Sequence, residues 1–400
     1  MNAPAPLDGV RVVELAHWIA GPAAGGVLAD WGADVVKVEP PGGDPMRTIW
    51  DAVGANPDAP NAAFVGANRG KRSVVLDLSA PEGRGVLERL LEGADVLVTN
   101  LRPSALERLS LAPPDVARRH PRLVYCSLTA YGWGGPDQER AGYDLAAFFG
   151  RTGISDQVTT QGTPPAPVMQ GIGDNFTAMA AVAGILAALL ERERTGRGRL
   201  VEASLLRTGM WALGGSLGAA AMGARPRPPY PRTRCPTPLF NSYRTADDRW
   251  FFLVGLEAGR HLPSVLAAIG RSDLEHDERF RGARNLSRHR QDLIPVLDEA
   301  FGAHPLAYWA ERFAAHDVWW APVQTPAEVL ADPQARATGA WVGVDAGEGQ
   351  RFESVDSPVR YDGIVRTDVP GPPRLGDHTD EILASLDRQK GHDSRRKGAS

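Results

Sequence analysis

Residues 10–39 read VRVVELAHWIAGPAAGGVLADWGADVVKVE, and this stretch decides the fold. The apolar run Val10–Leu15 predicts a buried strand, the small residues from Pro22 to Trp31 predict a helix, and Ala33–Glu39 predicts a second strand. A strand–helix–strand unit is the usual start of a parallel sheet. Alternating strands and helices up to about residue 130 predict an open α/β sheet, with further strands at Ser73–Leu78, Asp95–Thr99 and Leu123–Leu128.

The sequence changes character near residue 225. Residues 225–238 are rich in Pro and Arg and predict a linker. Phe240–Leu253 then resembles a hairpin with an Asp-Asp turn, and helical patterns follow to about Ala315. Because 400 residues exceed one ordinary core, we expect a second domain here. The polar, charged residues after Arg388 predict a disordered tail.

The composition excludes several classes of protein. A net charge of −4 provides no overall basic field for nucleic acid. Cys126 and Cys235 are too few for a disulfide framework or a zinc site, and we expect no metal. The apolar run Phe176–Leu190 is too short to span a bilayer, and the N-terminus lacks a signal-peptide pattern. We therefore expect a cytoplasmic protein without nucleic-acid or membrane partners.

Three polar clusters border predicted strands: His17–Pro22, Asn68–Arg72, and Asn100–Arg102 with Arg108 nearby. Ligands of open parallel sheets bind beyond the carboxyl ends of the strands, where the first and third clusters lie. The cations of these clusters are candidates for phosphate contacts: Lys71, Arg72, Arg102 and Arg108. Taken singly, each cation could equally be a solvated surface residue. His17, taken singly, is typical of a structural residue held by hydrogen bonds.

A nicotinamide-dinucleotide site is a rival interpretation of the same stretch. Gly21–Gly25 follows the first strand, and Glu39 ends the second, where a ribose-binding acid would lie. However, Gly-x-Gly-x-x-Gly is absent, and Pro22 stands where the pyrophosphate would approach. The sequence also lacks a P-loop and a Gly-x-Ser-x-Gly elbow.

Asp174 lies in Met169–Phe176, where a glycine-rich turn ends and a long apolar helix begins. By its position alone, Asp174 is predicted to be the N-cap residue, which would stabilise the helix by about 1 kcal/mol. The positive end of the helix would also favour the ionised carboxylate. Tyr143 follows the loop Gly132–Pro136, where its side chain either donates a hydrogen bond or packs.

Further motifs run in one order along nearly the whole chain: Leu7–Leu15, Ala20–Pro22, Leu28–Glu39, Asn68–Ser73, Asp77–Leu78, Pro81–Gly83, Ala94–Val96, Asn100–Pro103, Gly173–Asp174, Thr195–Gly198 and Pro373–Asp380. In this order they resemble the family III coenzyme A transferases, the group that includes formyl-CoA transferase, carnitine-type CoA-transferases and α-methylacyl-CoA racemase. The combination is far more specific than any single motif.

The resemblance implies a fold class and partners. It implies an α/β protein whose Rossmann-like large domain, with an open parallel sheet, spans residues 1–224 and 325–390. A smaller α+β domain would span 239–324, with the disordered tail at 391–400. Two chains would form an interlocked homodimer. The substrates would be an acyl-CoA and a carboxylic acid acceptor, with coenzyme A acting as a substrate.

The resemblance also implies that Asp174 is the catalytic carboxylate of an acyl-CoA:carboxylate CoA-transferase. It would attack the thioester, form an anhydride and then an aspartyl-CoA thioester, and pass CoA to the acceptor acid. Asp174 must be ionised for this chemistry. We expect CoA to lie on the large domain against His17, Trp18, Ala20, Asn68, Lys71, Arg72, Asn100, Leu101, Arg102, Arg108 and Tyr143.

Departures from the family pattern leave alternatives open. Ile19 replaces a glutamine of the formyl-CoA enzymes, and no run of consecutive glycines occurs between Pro228 and Trp250 to cover an intermediate. Tyr143 stands where the racemase branch has a histidine. A phenol stays protonated near pH 7 and is a poor general base, which favours transfer over an α-methylacyl-CoA racemase or epimerase. A non-catalytic CoA-binding protein is the remaining alternative.

Overall fold

The computed structural model describes residues 4–49, 61–160, 162–165, 171–224, 230–347 and 349–397. The chain divides into two compact units. The first comprises Met1–Ser155, Pro167–Pro226 and Gly339–Ser400, and the second comprises Asp156–Ala166 and Arg227–Thr338. The second unit therefore includes residues 325–338, which the sequence analysis assigned to the large domain, and residues from the predicted linker 225–238.

A six-stranded parallel sheet forms the centre of the first unit. Its strand order is β3-β2-β1-β4-β5-β6, the order of Rossmann sheets, so the predicted Rossmann-like α/β fold is confirmed. The order reverses between β1 and β4, which opens a crevice at the carboxyl ends of these two strands. The strands are β1 Arg11–Leu15, β2 Asp34–Glu39, β3 Arg72–Val75, β4 Val96–Thr99, β5 Val124–Thr129 and β6 Leu200–Ser204.

Helices connect the strands and make up much of both units. In chain order they are α1 Ala20–Asp30, α2 Ala62–Asn68, α3 Pro81–Glu92, α4 Pro103–Arg108, α5 Pro113–Arg119, a π-helical turn Leu145–Gly150, α6 Ile154–Val158, α7 Ile172–Thr195, α8 Leu205–Ala212, α9 Gly214–Ala221, α10 Ala258–Ala268, α11 Gly282–Arg288, α12 Arg290–Gly302, α13 Leu306–Ala315, α14 Pro326–Ala331, α15 Pro333–Ala337 and α16 Thr379–Lys397.

Side chains of the strands enter two cores, because successive residues of a strand point to opposite faces. Val12 and Val96 pack with α1 and α7 on one face. Val13 and Leu97 pack with α3 and α16 on the other. The sheet is therefore covered on both faces, as parallel sheets require.

Helix α7 is the central helix of the first core. By length and composition it is apolar enough to cross a membrane, and it is longer than the run Phe176–Leu190 judged too short from the sequence. Its buried face, which includes Ala181 and Ile185, packs against α1. This is the placement of a core helix in a globular protein and does not indicate a membrane protein.

Glycines in α1 allow close packing against β1 and α2. A Cβ atom at Gly25 would overlap the Glu14 Oε2 atom, and one at Gly26 would lie 2.8 Å from the Ala67 carbonyl oxygen. The glycine-rich stretch therefore accommodates a buried carboxylate and a neighbouring helix. This packing explains the glycines after β1, which the dinucleotide interpretation assigned to a pyrophosphate-binding turn.

The second unit contains a three-stranded antiparallel sheet in the order β7-β8-β9. The predicted hairpin is confirmed, and Asp248 in its turn has a positive φ of 61°. Phe251 is fully buried, with its ring centroid 5.0 Å from that of Phe301, so it belongs to the core of the unit. The strands are β7 Phe240–Arg244, β8 Trp250–Val254 and β9 Trp320–Pro322.

The C-terminal segment returns to the first unit as a three-stranded sheet in the order β11-β10-β12, followed by α16. Ile382 and Leu386 of α16 are buried in the second core of the parallel sheet. The helix continues to Lys397, across most of the stretch where the sequence predicts a disordered tail. The strands are β10 Trp341–Gly347, β11 Gln350–Val355 and β12 Asp368–Pro370.

Candidate active site

The crevice between β1 and β4 brings together the first and third polar clusters. The His17 N–H donates to Asn100 Oδ1 at 3.1 Å, and Asn100 Nδ2 donates to the His17 carbonyl at 2.6 Å. Burial lowers the pKa of His17, against the opposing charge of Asp44, so its ring is neutral at pH 7. The loops after the two strands are thus fixed to each other at the edge where open parallel sheets bind ligands.

Trp18 adopts a backbone conformation that is rare for a residue with a bulky side chain. Its φ is 66°, and its N–H donates to Asp44 Oδ1 at 3.1 Å. Such a conformation costs about 1–3 kcal/mol and is often found at functional sites. The Trp18 ring meets Tyr143 edge to face, with centroids 5.4 Å apart. The first cluster therefore extends to the Gly-Tyr-Asp motif, which is formed by Gly142–Asp144.

The turn before α7 is held by the neighbouring acid Asp144. Gly171 is the N-cap residue of α7, in the left-handed conformation with φ 89°, and its N–H donates to Asp144 Oδ2 at 2.7 Å. Asp174 is the third residue of the helix, and among the described residues its side chain accepts no hydrogen bond from a backbone N–H. The N-cap interpretation of Asp174 is therefore wrong, because the glycine takes that position.

The turn that leads into α7 lies close to both the Asp144 segment and the loop after β1. At Gly173, a Cβ atom would lie 2.6 Å from Phe148 Cγ and 2.9 Å from Asp144 Cβ. At Gly171, a Cβ atom would lie 3.7 Å from Ile19 Cδ1. The structure therefore gathers the loop of His17 and Trp18, the Tyr143–Asp144 pair and the start of α7 into one site.

The Asp174 carboxylate has an unusual electrostatic environment. Burial and, to a lesser degree, the charge of Asp144 raise its pKa from 3.8 to about 7. Within the described ranges, no residue donates a hydrogen bond to it. The helix N-terminus was expected to favour the ionised carboxylate, but burial and the Asp144 charge oppose ionisation and raise the pKa instead.

Two predicted CoA contacts, Asn68 and Lys71, are buried in the interior. Lys71 Nζ contacts Glu14 Oε2 at 2.5 Å, the Pro22 carbonyl at 2.8 Å and Asn68 Oδ1 at 3.1 Å. Burial lowers the pKa of Lys71 to about 8. Lys37 binds the other Glu14 oxygen at 3.0 Å. Because this network occupies their polar groups under α1, we correct the expectation that these two side chains contact CoA.

Arg72 is also misplaced for the predicted role. It begins β3, and its Nη2 atom lies 2.5 Å from Asp34 Oδ2 at the start of β2. Its Nη1 atom lies 3.3 Å from Glu381 of α16. Its side chain therefore pairs with the amino end of the sheet, whereas the crevice opens at the carboxyl ends. The predicted strand at Ser73–Leu78 already placed Arg72 at this amino end, but the sequence did not show its pairing with Asp34.

Arg102 and Arg108 keep the properties that a phosphate contact needs. Both are exposed, Arg102 immediately before α4 and Arg108 in its last turn. Across the described ranges, neither forms an ion pair with an acidic side chain. Leu101 and Asn100 connect this helix to β4. Arg102 and Arg108, which come after β4 in the chain, are therefore available to an anionic ligand.

The contacts of Glu39 exclude the ribose-binding role that the dinucleotide interpretation gave to this residue. Its carboxylate accepts two hydrogen bonds from Arg47, at 2.8 and 2.7 Å, and one from Ser73 Oγ at 2.7 Å. It is almost fully buried, and these contacts hold its pKa below the ordinary value despite the burial. The acid therefore anchors the loop after β2 and is not free to bind a sugar.

Comparison with known proteins identifies the family. Residues 7–379 match the model of CoA-transferase family III. The chain is 32% identical to (R)-2-hydroxy-4-methylpentanoate CoA-transferase of Clostridioides difficile, over 95% of each chain. It is also 32% identical to cinnamoyl-CoA:phenyllactate CoA-transferase of Clostridium sporogenes, over 95% of this chain and 93% of the relative. This chain belongs to family III of the CoA-transferases.

Solved structures agree with this assignment. A CAIB/BAIF family protein from Brucella suis matches with a TM-score of 0.82 and 31% identity, over 96% of this chain and all of the other. The protein is thus a CoA-transferase, an enzyme whose substrates are CoA thioesters and carboxylates. The alternative of a non-catalytic CoA-binding protein is set aside, and the names of the relatives describe transfer rather than racemisation.

In this CoA-transferase, the described ranges contain no group of three or more His, Cys, Asp or Glu side chains arranged to hold a metal ion. A cavity of about 720 Å³ lies in the first unit near Trp31, at the end of α1. Its acid Asp30 pairs with Arg69 at 2.6 Å and with Arg366 at 2.5 Å. Asp30 is therefore held by two guanidinium groups, whereas Asp174 has no ion-pair partner among the described residues.

Sequence reasoning missed Asp144 as part of the site. The Gly-Tyr-Asp motif was considered only for its tyrosine. The signal was present as an acid beside an exposed aromatic residue, but nothing in the sequence links Asp144 to Gly171, which lies 27 residues away. Only the folded chain shows that the Asp144 carboxylate binds the same turn that carries Asp174.

Proposed function

We propose that this CoA-transferase moves CoA from an acyl-CoA thioester to a free carboxylic acid, with Asp174 as the covalent nucleophile. The observation that carries the proposal is a largely buried carboxylate at the start of α7, with no hydrogen-bond donor in the described ranges and a pKa raised to about 7. Such a group is more nucleophilic than an ordinary aspartate and is half ionised at neutral pH.

The proposed reaction proceeds through two kinds of covalent intermediate. Asp174 attacks the thioester carbonyl carbon, the C–S bond breaks, and an anhydride forms as the CoA thiolate leaves. The thiolate then attacks the Asp174 side-chain carbonyl, releasing the donor acid and leaving an aspartyl-CoA thioester. The acceptor carboxylate repeats these steps in reverse. One thioester replaces another, so no further energy source is required.

Backbone N–H groups are the proposed oxyanion donors. The first turn of α7 begins at Ile172, and the first N–H groups of a helix have no partner within it. Donors at the positive end of a helix stabilise negative charge as it develops on a carbonyl oxygen. The same turn therefore supplies the nucleophile and the groups that stabilise its tetrahedral intermediates.

Coenzyme A is proposed to follow the crevice from Asp174 to α4. Arg102 and Arg108 would meet its phosphates as exposed cations without ion-pair partners in the described ranges. The loops after β1 and β4 would hold the pantetheine arm. With the buried and misplaced side chains removed, the proposed contacts are His17, Trp18, Ala20, Asn100, Leu101, Arg102, Arg108 and Tyr143.

The acyl group is proposed to be apolar. Exposed apolar side chains border the catalytic turn, with Tyr143 60% and Phe176 53% exposed, and Leu145 and Ile172 beside them. Such a surface favours an alkyl or aryl chain over a second carboxylate. The two relatives named above transfer CoA to or from branched and aromatic 2-hydroxy acids. We therefore propose that 2-hydroxy acids with apolar side chains are the first acceptors to test.

A second copy of the chain is proposed to complete the enzyme as an interlocked homodimer. Trp211 is 80% exposed and Met222 84% exposed, and no residue of α9 between them is buried. Monomeric proteins rarely expose apolar side chains in such a continuous run. Both cysteines are free and buried, which is consistent with the proposed cytoplasmic location.

Substitution of the nucleophile tests the proposed function. Asp174→Asn keeps the shape of the side chain but removes the attacking oxygen anion. We expect kcat to fall by about 10³-fold or more with an apolar acyl-CoA donor and a 2-hydroxy acid acceptor. The matched control is Asp115→Asn on the surface of α5. The proposal fails if the Asp174→Asn enzyme retains a tenth or more of the parent rate.

A further inference from the structure

Asp144 is a buried acid that the reaction described above does not use. It is 3% exposed, and within the described ranges no cation forms an ion pair with it. Among the described residues, the one hydrogen bond to its side chain comes from the Gly171 N–H. A buried, unpaired carboxylate is costly for folding, and such groups concentrate at functional sites. This cost points to a role for the Asp144 charge in the neighbouring turn.

We propose that Asp144 is a positioning residue with two actions on Asp174: its carboxylate fixes the turn at Gly171, and its negative charge favours the covalently modified form of Asp174. The inference rests on Asp174 being the nucleophile. Neither action requires Asp144 to touch a substrate.

The first action follows from the contacts of the turn. The Gly171 N–H points at Asp144 Oδ2, 2.7 Å away, and Gly171 adopts the left-handed conformation that starts α7. Two residues on, Gly173 lies against Phe148 and the Cβ atom of Asp144 with no room for a side chain. Asp144 therefore holds the turn at Gly171 through its carboxylate, while its Cβ atom and the Phe148 ring leave no space at Gly173.

The second action follows from charge balance. The ionised, reactive form of free Asp174 is anionic, and its negative charge is repelled by Asp144. In the anhydride and in the aspartyl-CoA thioester, Asp174 is neutral, and the negative charge has left on the CoA thiolate or the released acid. The repulsion raises the free energy of the free enzyme but not of these intermediates. The raised pKa of Asp174 reflects the same repulsion acting against ionisation, in addition to burial.

Other titratable groups near this turn do not replace Asp144. On the loop after β1, His17 is buried, and its lowered pKa keeps it neutral at pH 7. On α8, which packs against α7, Arg207 is exposed. On the π-helical turn, Asp144 is the charge that acts on Asp174. The electrostatic effect is therefore assigned to one side chain.

The test is Asp144→Asn, because the amide oxygen still accepts the Gly171 N–H while the charge is lost. We expect the acidic limb of the kcat/KM profile to move to lower pH. We also expect the equilibrium ratio of covalent adduct to free enzyme, measured at a pH where Asp174 is ionised, to fall tenfold for each pKa unit of that movement. Asp144→Ala loses the hydrogen bond as well and should lower kcat further than Asp144→Asn does.

The controls separate this inference from a general loss of structure. Asp115→Asn removes a surface charge and should leave both the pH profile and the adduct yield unchanged. Thermal unfolding of Asp144→Asn within a few degrees of the parent shows that the turn is intact. An Asp144→Asn enzyme with the parent's pH limb and adduct yield overturns the inference. An active Asp174→Asn enzyme would instead overturn the proposed function.

Discussion

Asp174 lies at the positive end of a helix, yet its pKa is raised rather than lowered. A helix N-terminus stabilises a nearby anion by about 0.3–1 kcal/mol. A shift from 3.8 to about 7 corresponds to roughly 4 kcal/mol in the opposite direction. Burial and the Asp144 charge therefore dominate at this residue. The sequence indicated that Asp174 was the important acid, but burial and a neighbour from a distant segment determine its titration.

The raised pKa predicts a pH-dependent cost to stability. Well below pH 3.8 the group is protonated in both the folded and unfolded states, and it costs nothing. As the pH rises to about 7, the unfolded chain ionises first, so stability from this group is progressively lost. Asp174→Asn removes this loss. We expect the variant to be more stable than the parent by up to roughly 4 kcal/mol at pH 8, and the difference to vanish below about pH 3.

Urea unfolding at a series of pH values measures this difference. The comparison between variant and parent cancels the contributions of other acids, such as Glu39, whose pKa is lowered. A stability difference that does not change between pH 4 and pH 8 would show that the Asp174 carboxyl titrates normally.

The turn before α7 depends on close packing that single-residue patterns do not reveal. The Gly-Asp motif marked Asp174, and the long apolar helix predicted after it is observed as α7. The start of the helix was misassigned, because Asp174 is a common N-cap residue type and the left-handed Gly171 takes that position here. The polar clusters after β1 and β4 were correctly expected at the carboxyl ends of their strands.

Gly173→Ala tests this packing directly. The added methyl would lie 2.6 Å from Phe148 Cγ and 2.9 Å from Asp144 Cβ, so α7 must shift. We expect a loss of about 1–3 kcal/mol in the free energy of unfolding, together with a large fall in kcat. Gly85→Ala in α3 is the matched control, because nothing lies within 4 Å of the added atom.

Alanine is a better helix former than glycine, so the control should be neutral or more stable by up to about 1 kcal/mol. Chemical denaturation and steady-state kinetics on both variants give the comparison. If the two substitutions had the same effect on both quantities, the tight contact at Gly173 would have no functional importance.

At the scale of the whole molecule, the alternation of strands and helices predicted an open α/β sheet, and the structure has one. The sequence could not predict which charged side chains are buried inside the fold. Lys71 resembled a phosphate ligand because it is a cation in a loop, but its Nζ atom is held by Glu14 inside the fold. The direction of a long side chain depends on partners from distant segments, here 57 residues away.

The exposed surface of α8 and α9 predicts association between chains. We expect light scattering after gel filtration to give twice the mass of one chain. Trp211→Glu, at an 80% exposed position, should shift the protein toward monomer or reduce its soluble yield. A parent protein that stays monomeric at micromolar concentration would contradict the proposed homodimer but not the assignment of Asp174.

The most direct test of the account is the identity of the covalent intermediate. The enzyme is incubated with an apolar acyl-CoA and hydroxylamine, digested and analysed by peptide mass spectrometry. Because hydroxylamine attacks both an anhydride and a thioester, we predict a hydroxamate on Asp174 that forms only when acyl-CoA is present and is missing in Asp174→Asn. An enzyme that turns over while Asp174 stays unmodified, or that carries the hydroxamate on another residue, would contradict the account.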